Sequence, residues 1–183
     1  MKVLLALSLV TTLWAGPSLA SDRAWQALRA GGAVALLRHA RAPGTGDPSG
    51  FRLGDCATQR NLSAEGRRQA RQIGERIRAQ GIWVERVLSS RWCRALDTAR
   101  LAFGDRVDPF PPLDSFFSER DRNEAQTREI RQLVEGWRGR GVLALVTHQV
   151  NITALTGIFP AEGEILVLQP GPNGFSVVGR INP

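Results

Sequence analysis

Apolar positions along this chain fall into two patterns that alternate with each other. Short unbroken apolar runs, "AVALL" at 33–37 and "VLALV" at 142–146, have the form of strands buried on both faces of a sheet. Elsewhere the apolar residues recur at helical spacing. Ala70, Ile73 and Ile77 follow Ser63 as a cap and precede Gly81 as a stop, which predicts the best-defined helix of the chain. "SDRAWQALRAGG" predicts a short helix capped by Ser21 or Asp22 and stopped at Gly31, and "RWCRALDTARLAF" and "EAQTREIRQLVEGWRG" predict two more. A last short helix is expected over 151–156, stopped by Gly157. "VERVLSS" predicts a strand, "RVDPFPP" an extended edge broken by proline, and "EILVLQP" with "GFSVVGR" two strands across a Pro/Gly/Asn turn. Residues 42–60 and 114–124 are polar or rich in Gly and Pro, and are expected to be loops. Strand and helix alternate without any repeat. The expected fold class is therefore α/β, a three-layer sandwich with a mostly parallel central sheet flanked by helices.

The first twenty residues stand apart from this alternation. Lys2 is followed by an apolar run from Val3 to Ala15, then Gly16, Pro17 and small residues around Ser18-Leu19-Ala20. That is the layout of a secretory signal peptide, with cleavage expected after Ala20 and residues 21–183 forming one domain. The alternative, an uncleaved anchor, has an apolar stretch shorter than the roughly 20 residues a bilayer requires. The mature protein is expected in the periplasm or secreted, without stable membrane insertion. Two cysteines, Cys56 and Cys93, are then expected to form one disulfide, the alternative being two buried thiols.

The net charge of +7 falls to +6 without Lys2, the only lysine, so arginine carries all of the remaining positive charge. The arginines are scattered over every predicted element, not clustered with aromatics on one face, so nucleic acid is not expected as a partner. A few of them suit a different task, because the planar guanidinium fork matches phosphate. None of the two cysteines and two histidines lies at the short spacing of a structural zinc site, and neither a metal nor a cofactor is expected.

Three predicted strands end in polar residues. The first delivers Arg38 and His39, the second Ser89 and Ser90 leading to Arg94, and the "VLALV" strand Thr147 and His148. In open α/β sheets ligands bind beyond the carboxyl ends of the strands, so these tips are expected to converge on one anion site. A neutral imidazole there is able to attack phosphorus, and a protonated one to stabilise the charge that develops on its oxygens.

The segments "LLRHA", "RNLSAEGRRQA", "SSRWCRALDTA" and "LVTHQ", in that order and spacing, resemble the histidine phosphatase superfamily, in its phosphoglycerate mutase-like branch 1, from about Val34 to Gly157. The resemblance implies that His39, after Arg38, is the nucleophile, that Arg94 is the second phosphate-binding arginine, and that His148 is the second catalytic histidine. The Leu62-Ser63 segment with Gln69-Ala70 matches a motif of structural role. Arg60 and Asn61, and also Gln149, are candidate substrate-binding residues at the mouth of the pocket. Where the common motif has Gly after the first histidine, this chain has Ala40, as do forms in the phosphohistidine phosphatase branch. The general acid is harder to find. Aligning on Leu113 puts Ser115 at the usual Glu, and Gln149 follows the second histidine where another branch has an acidic residue. Asp114 is the nearest candidate acid, with Glu119, Asp47 and Asp55 further away.

These readings lead to an exported, metal-independent phosphatase working through phospho-His39. Its expected substrate is a phosphorylated small molecule or an envelope glycan or lipid. Without a strong acid it is expected to favour leaving groups that are stable or readily protonated. The alternative is a non-catalytic binder of phosphorylated envelope components such as lipopolysaccharide phosphates.

Overall fold

The structure is a computed structural model that describes residues 19–182. The expected signal peptide lies outside the described residues except for its last two, which open the first helix. The elements are α1 (Leu19–Ala30), β1 (Val34–Arg38), α2 (Ala64–Ala79), β2 (Val84–Ser89), α3 (Cys93–Phe103), β3 (Asp108–Pro109), α4 (Asn123–Glu135), β4 (Val142–Thr147), α5 (Gln149–Thr156), β5 (Ile165–Gly171) and β6 (Gly174–Ile181). They form one six-stranded sheet in the order β3-β2-β4-β1-β5-β6. β1, β2, β3 and β4 pair in parallel, and β5 runs antiparallel to both of its neighbours.

Side-chain alternation along the central strands divides the core in two. Ala35 and Leu37 of β1, with Val142, Ala144 and Val146 of β4, face one side and pack under Leu28 of α1, Ile73 and Ile77 of α2, and Ala95, Ala99 and Ala102 of α3. Val34 and Leu36, with Leu143 and Leu145, face the other side and pack on Ile130 and Val134 of α4 and Ile152 and Leu155 of α5. This is the expected three-layer sandwich. Strands buried on both faces have no polar side to show, and so they read as continuous apolar runs. The helix layer changes sides where the chain reverses its direction across the sheet, after β3, as right-handed crossovers require. The reversal opens a crevice at the carboxyl ends of β1, β2 and β4.

Some element boundaries differ from the sequence expectation. α1 begins at Leu19, ahead of the Ser21 or Asp22 cap. α4 ends at Glu135, because Trp137 leaves the helical path, packs against the α4 side of the core and donates its indole N–H to the Gly141 carbonyl at 3.3 Å. α5 starts at Gln149, two residues early. The proline edge shortens to Asp108–Pro109, after which Pro111–Leu113 coil into a 3-10 turn, where a proline's missing N–H costs nothing. The 42–60 loop carries its own 3-10 turn at Cys56–Thr58, capped by the Asp55 side chain. No helix of the described residues is long and apolar enough to cross a membrane.

Candidate active site

Register brings the two histidines together. β1 and β4 pair so that Arg38 lies opposite Thr147, and one residue further His39 donates its N–H to the Thr147 carbonyl at 2.9 Å. β2 joins from the other side, with Ser89 opposite Val146 and the Ser90 N–H donating to the Val146 carbonyl at 2.9 Å. The backbone just after His39 is held from several directions. The Ala40 N–H donates to Thr98 Oγ1 at 3.0 Å, and the Arg41 N–H donates to Gln69 Oε1 at 2.9 Å. The Arg41 carbonyl accepts from the Ser63 N–H at 3.1 Å. The start of α2 then lies so close that a Cβ on Gly66 would stand 2.0 Å from the Arg41 oxygen, which requires glycine. The Leu62–Ala70 segment thus fixes the geometry of the loop that leaves the nucleophile strand.

A cavity of about 310 Å³ opens over these tips, lined among others by Arg38, His39, Arg60, Arg94, His148 and Gln149. His39 and His148 are both buried, with ring centroids 5.4 Å apart and planes at 64°. Nδ1 of His39 lies 2.8 Å from the Ala40 carbonyl, an acceptor only, so this nitrogen carries the proton and Nε2 keeps its lone pair. Burial, opposed by the Ala40 hydrogen bond and reinforced by the charges of Arg94, Arg60 and Arg38, pushes the His39 pKa down to about 3. His148 Nε2 lies 2.7 Å from Ser90 Oγ, and its Nδ1 is buried without a partner. Burial first, and then the charges of Arg94, His39, Arg60 and Arg38, hold His148 well below the ordinary imidazole value. Both rings are therefore neutral near pH 7.

The arginines surround the rings. Arg38 donates from Nη1 to the Pro160 carbonyl at 2.9 Å and lies 3.8 Å from Glu162. Arg94 donates from Nη1 and Nη2 to the two oxygens of Asp47, at 2.7 and 3.1 Å. In both arginines Nε is buried with no partner. Two unpartnered cationic N–H donors beside two neutral imidazoles form a site complementary to an anion.

Several candidates turn away from this centre. Asp114 does not line the cavity. It is fully buried behind the Ser90–Arg91 turn, where Oδ1 accepts from the Arg91 backbone N–H at 2.8 Å and from Ser90 Oγ at 3.3 Å. Its Oδ2 accepts from Nε and Nη2 of Arg91 at 2.8 and 2.6 Å. Held in this way behind the turn, Asp114 does not reach the cavity, where the expected acid role would need it. Asn61 is not at the mouth either, because its Nδ2 donates to the Cys56 carbonyl at 2.6 Å. Arg60 lines the cavity but spends its guanidinium on the Gly46 carbonyl, at 2.7 Å, and on the Ala42 carbonyl. Gln149 lines the cavity, with Nε2 on Thr153 Oγ1 at 2.9 Å. Ser115 and Glu119 are on the wall, and Glu119 is paired with Arg122.

In the sequence Asp47 is only a remote candidate acid. It is instead the carboxylate that grips Arg94, and it also accepts from the Trp92 indole at 3.0 Å and the Arg60 N–H at 3.1 Å. Burial works to raise the pKa of Asp47, but the hydrogen bonds and charge of Arg94 outweigh it and leave a net lowering. Cys56 and Cys93 are joined in a disulfide that ties the loop to the first turn of α3, one residue before Arg94. Flat apolar surface completes the walls. Phe51 stacks on Trp92 at 5.0 Å, and Phe117 and Phe159 reach the cavity while remaining 43% and 68% exposed.

The histidine phosphatase superfamily (branch 1) model matches residues 34–140, which contain Arg38, His39 and Arg94 and end before His148. No curated protein matches the sequence. Among solved structures the chain is similar to a candidate phosphohistidine phosphatase, SixA, from Agrobacterium tumefaciens, at 18% identity and a TM-score of 0.58, over 82% of this chain and 97% of that one. It is similar to the protein histidine phosphatase SixA complexed with tungstate, at 15% identity and a TM-score of 0.57, over 82% and 97%. A mycobacterial glucosyl-3-phosphoglycerate phosphatase follows at 18% and 0.56, over 79% and 96%. At these identities the likeness is one of fold. With more than half of its length matched to the family model, the chain belongs to branch 1 of the histidine phosphatase superfamily.

Proposed function

We propose that the protein is a phosphatase that passes a phosphoryl group through Nε2 of His39. The observation that carries this reading is the His39–Ala40 hydrogen bond, which commits the ring proton to Nδ1 and leaves a nucleophilic lone pair on Nε2 in a cavity lined by Arg38, Arg60 and Arg94. In the first step that lone pair attacks phosphorus, the bond to the leaving group breaks, and the leaving group departs with the bonding electrons. In the second step water attacks the phosphohistidine, the P–N bond returns its electrons to Nε2, and inorganic phosphate leaves. The unpaired Nε groups of Arg38 and Arg94 take the equatorial oxygens, and His148 stands beside them.

The leaving group follows from the surroundings. Asp114 is engaged by Arg91 and Asp47 by Arg94, so neither supplies a proton at no cost. Leaving groups that depart without strong acid assistance, such as aryl phosphates, anhydrides and phosphoramidates, are the better substrates. Phe117, Phe159 and the Phe51–Trp92 stack offer a flat apolar wall to such a group. We place the protein in the periplasm or outside the cell after cleavage behind Ala20, and its substrate among phosphorylated small molecules or envelope glycans and lipids. The disulfide and the apolar N-terminal run support export.

The test is phosphate release from an aryl phosphate and from an alkyl sugar phosphate, in EDTA, with His39→Ala alongside. Aryl turnover that persists in EDTA and vanishes in the variant is expected, with a high aryl-to-alkyl ratio. No release from either substrate, while tungstate still protects against unfolding, would move the protein to a non-catalytic binder of phosphorylated envelope components.

A further inference from the structure

Ser90 is buried at the centre of a chain of polar groups behind His148. Its hydroxyl has one proton and two lone pairs. The Trp92 N–H donates to Ser90 Oγ at 3.2 Å and takes one lone pair. Asp114 Oδ1, 3.3 Å away, is a carboxylate oxygen and only accepts, so it takes the hydroxyl proton. The remaining lone pair meets His148 Nε2 at 2.7 Å, so that nitrogen brings the proton. The reverse arrangement turns an oxygen lone pair toward the Asp114 carboxylate inside a dry site, where mismatched polar groups are costly. The carboxylate cannot turn to avoid the mismatch. Arg91 holds both of its oxygens, and Asn151 Nδ2 and Gln126 Nε2 each donate to the Asp114 carbonyl at 2.9 Å.

We propose that Asp114 and Ser90 are positioning residues that fix His148 as the Nε2–H tautomer, so that Nδ1 enters the reaction as a proton acceptor. This rests on the phosphatase reading above and assigns a task to Asp114 that replaces the acid role. The two histidines are then opposite tautomers: His39 is protonated on Nδ1 and His148 on Nε2. When a phosphate ester binds as the monoanion, its P–O–H bond breaks, the proton passes to His148 Nδ1, and the imidazolium donates that proton back as a hydrogen bond to the resulting phosphoryl oxyanion. Arg38, Arg60, Arg94 and His39 face the ring from the other elements and disfavour the charged form until the anion arrives. Binding of the anion and charging of His148 are thereby one event.

The sequence contains only these two histidines, so nitrogen-15 labelling of histidine reads both rings in the intact protein. The expected spectrum shows one Nδ1–H and one Nε2–H neutral imidazole, with His148 identified by its absence in His148→Gln. Tungstate, a dianion that stands in for the deprotonated phosphoryl group, is expected to turn His148 alone into a doubly protonated ring, with the proton taken up from solvent. Ser90→Ala should release His148 into mixed tautomers and lower kcat about 10²-fold with KM nearly constant. Ser90→Thr should restore both, and Asp114→Asn provides the same tautomer readout if Ser90→Ala does not fold. A His148 Nδ1–H tautomer in the wild type, or an unchanged tautomer in both Ser90→Ala and Asp114→Asn, would overturn the inference. A phosphoenzyme on His39 alongside that result leaves the phosphatase reading standing and removes only this one.

Discussion

Arg94 and Asp47 meet in a two-pronged ion pair inside the cavity, their side chains only 3% and 15% exposed, across 47 residues of sequence. The carboxylate aims the guanidinium and also occupies a fork that a phosphate would use. Asp47→Asn removes a negative charge next to the anion site while keeping the shape of the side chain. It should tighten competitive inhibition by inorganic phosphate about tenfold, roughly 1.4 kcal/mol, and lower folding stability, because the buried Arg94 then lacks a counter-charge. Inhibition constants and urea midpoints of the two proteins check both effects.

Acid should destabilise the fold before the carboxylates titrate. Both histidines are buried neutral, with His39 lowered from 6.5 to about 3 and His148 also lowered. Below pH 6.5 the unfolded chain binds protons that the folded one refuses, so stability is complete above 6.5 and is lost as pH falls toward 3. His39 contributes a slope of up to about 1.4 kcal/mol per pH unit in that window, and His148 adds to it in the same direction. Unfolding free energies at pH 6.5, 5.5 and 5 should fall in the wild type and fall less steeply in His39→Gln.

The Cys56–Cys93 bridge closes a segment with a sequence separation of 37. In the chain-entropy model its loss costs about 4 kcal/mol. The double variant Cys56→Ser with Cys93→Ser should unfold at lower urea. It should also show a raised KM, since the freed loop carries Asp47 and Arg60 on the cavity wall.

Phe117 and Phe159 are two of the four exposed large apolar residues among those described, and both line the cavity. Their joint replacement by alanine should raise KM for an aryl phosphate about tenfold, at roughly 0.7 kcal/mol per ring. Acetyl phosphate, with no ring to place, should keep its KM.

Much of this was legible in the sequence. The buried strands of 33–37 and 142–146, the Ser63-capped helix and the tips at Arg38-His39, Ser90 and Thr147-His148 follow from local pattern, because a strand buried on both faces and a helix cap each leave a local trace. Asp47 was not legible as the partner of Arg94, since the 42–60 loop has no periodicity and the pairing depends on how that loop folds back onto the first turn of α3. The pairing of Asp114 with Arg91 was not legible for a related reason. The position of Asp114 in the sequence is close to that of the family acid, but the Arg91 guanidinium, two residues past the end of β2, holds it away from the cavity.

The most direct measurement is to mix the protein with an aryl phosphate labelled in the phosphoryl group, quench within the first turnovers, and ask where the label resides. Acid-labile, alkali-stable phosphate on the residue 39 imidazole, absent from His39→Ala and chased by water into free phosphate, is the expected result. Steady phosphate release with no protein-bound label at any time, or label that persists in His39→Ala, would contradict a reaction that passes through His39.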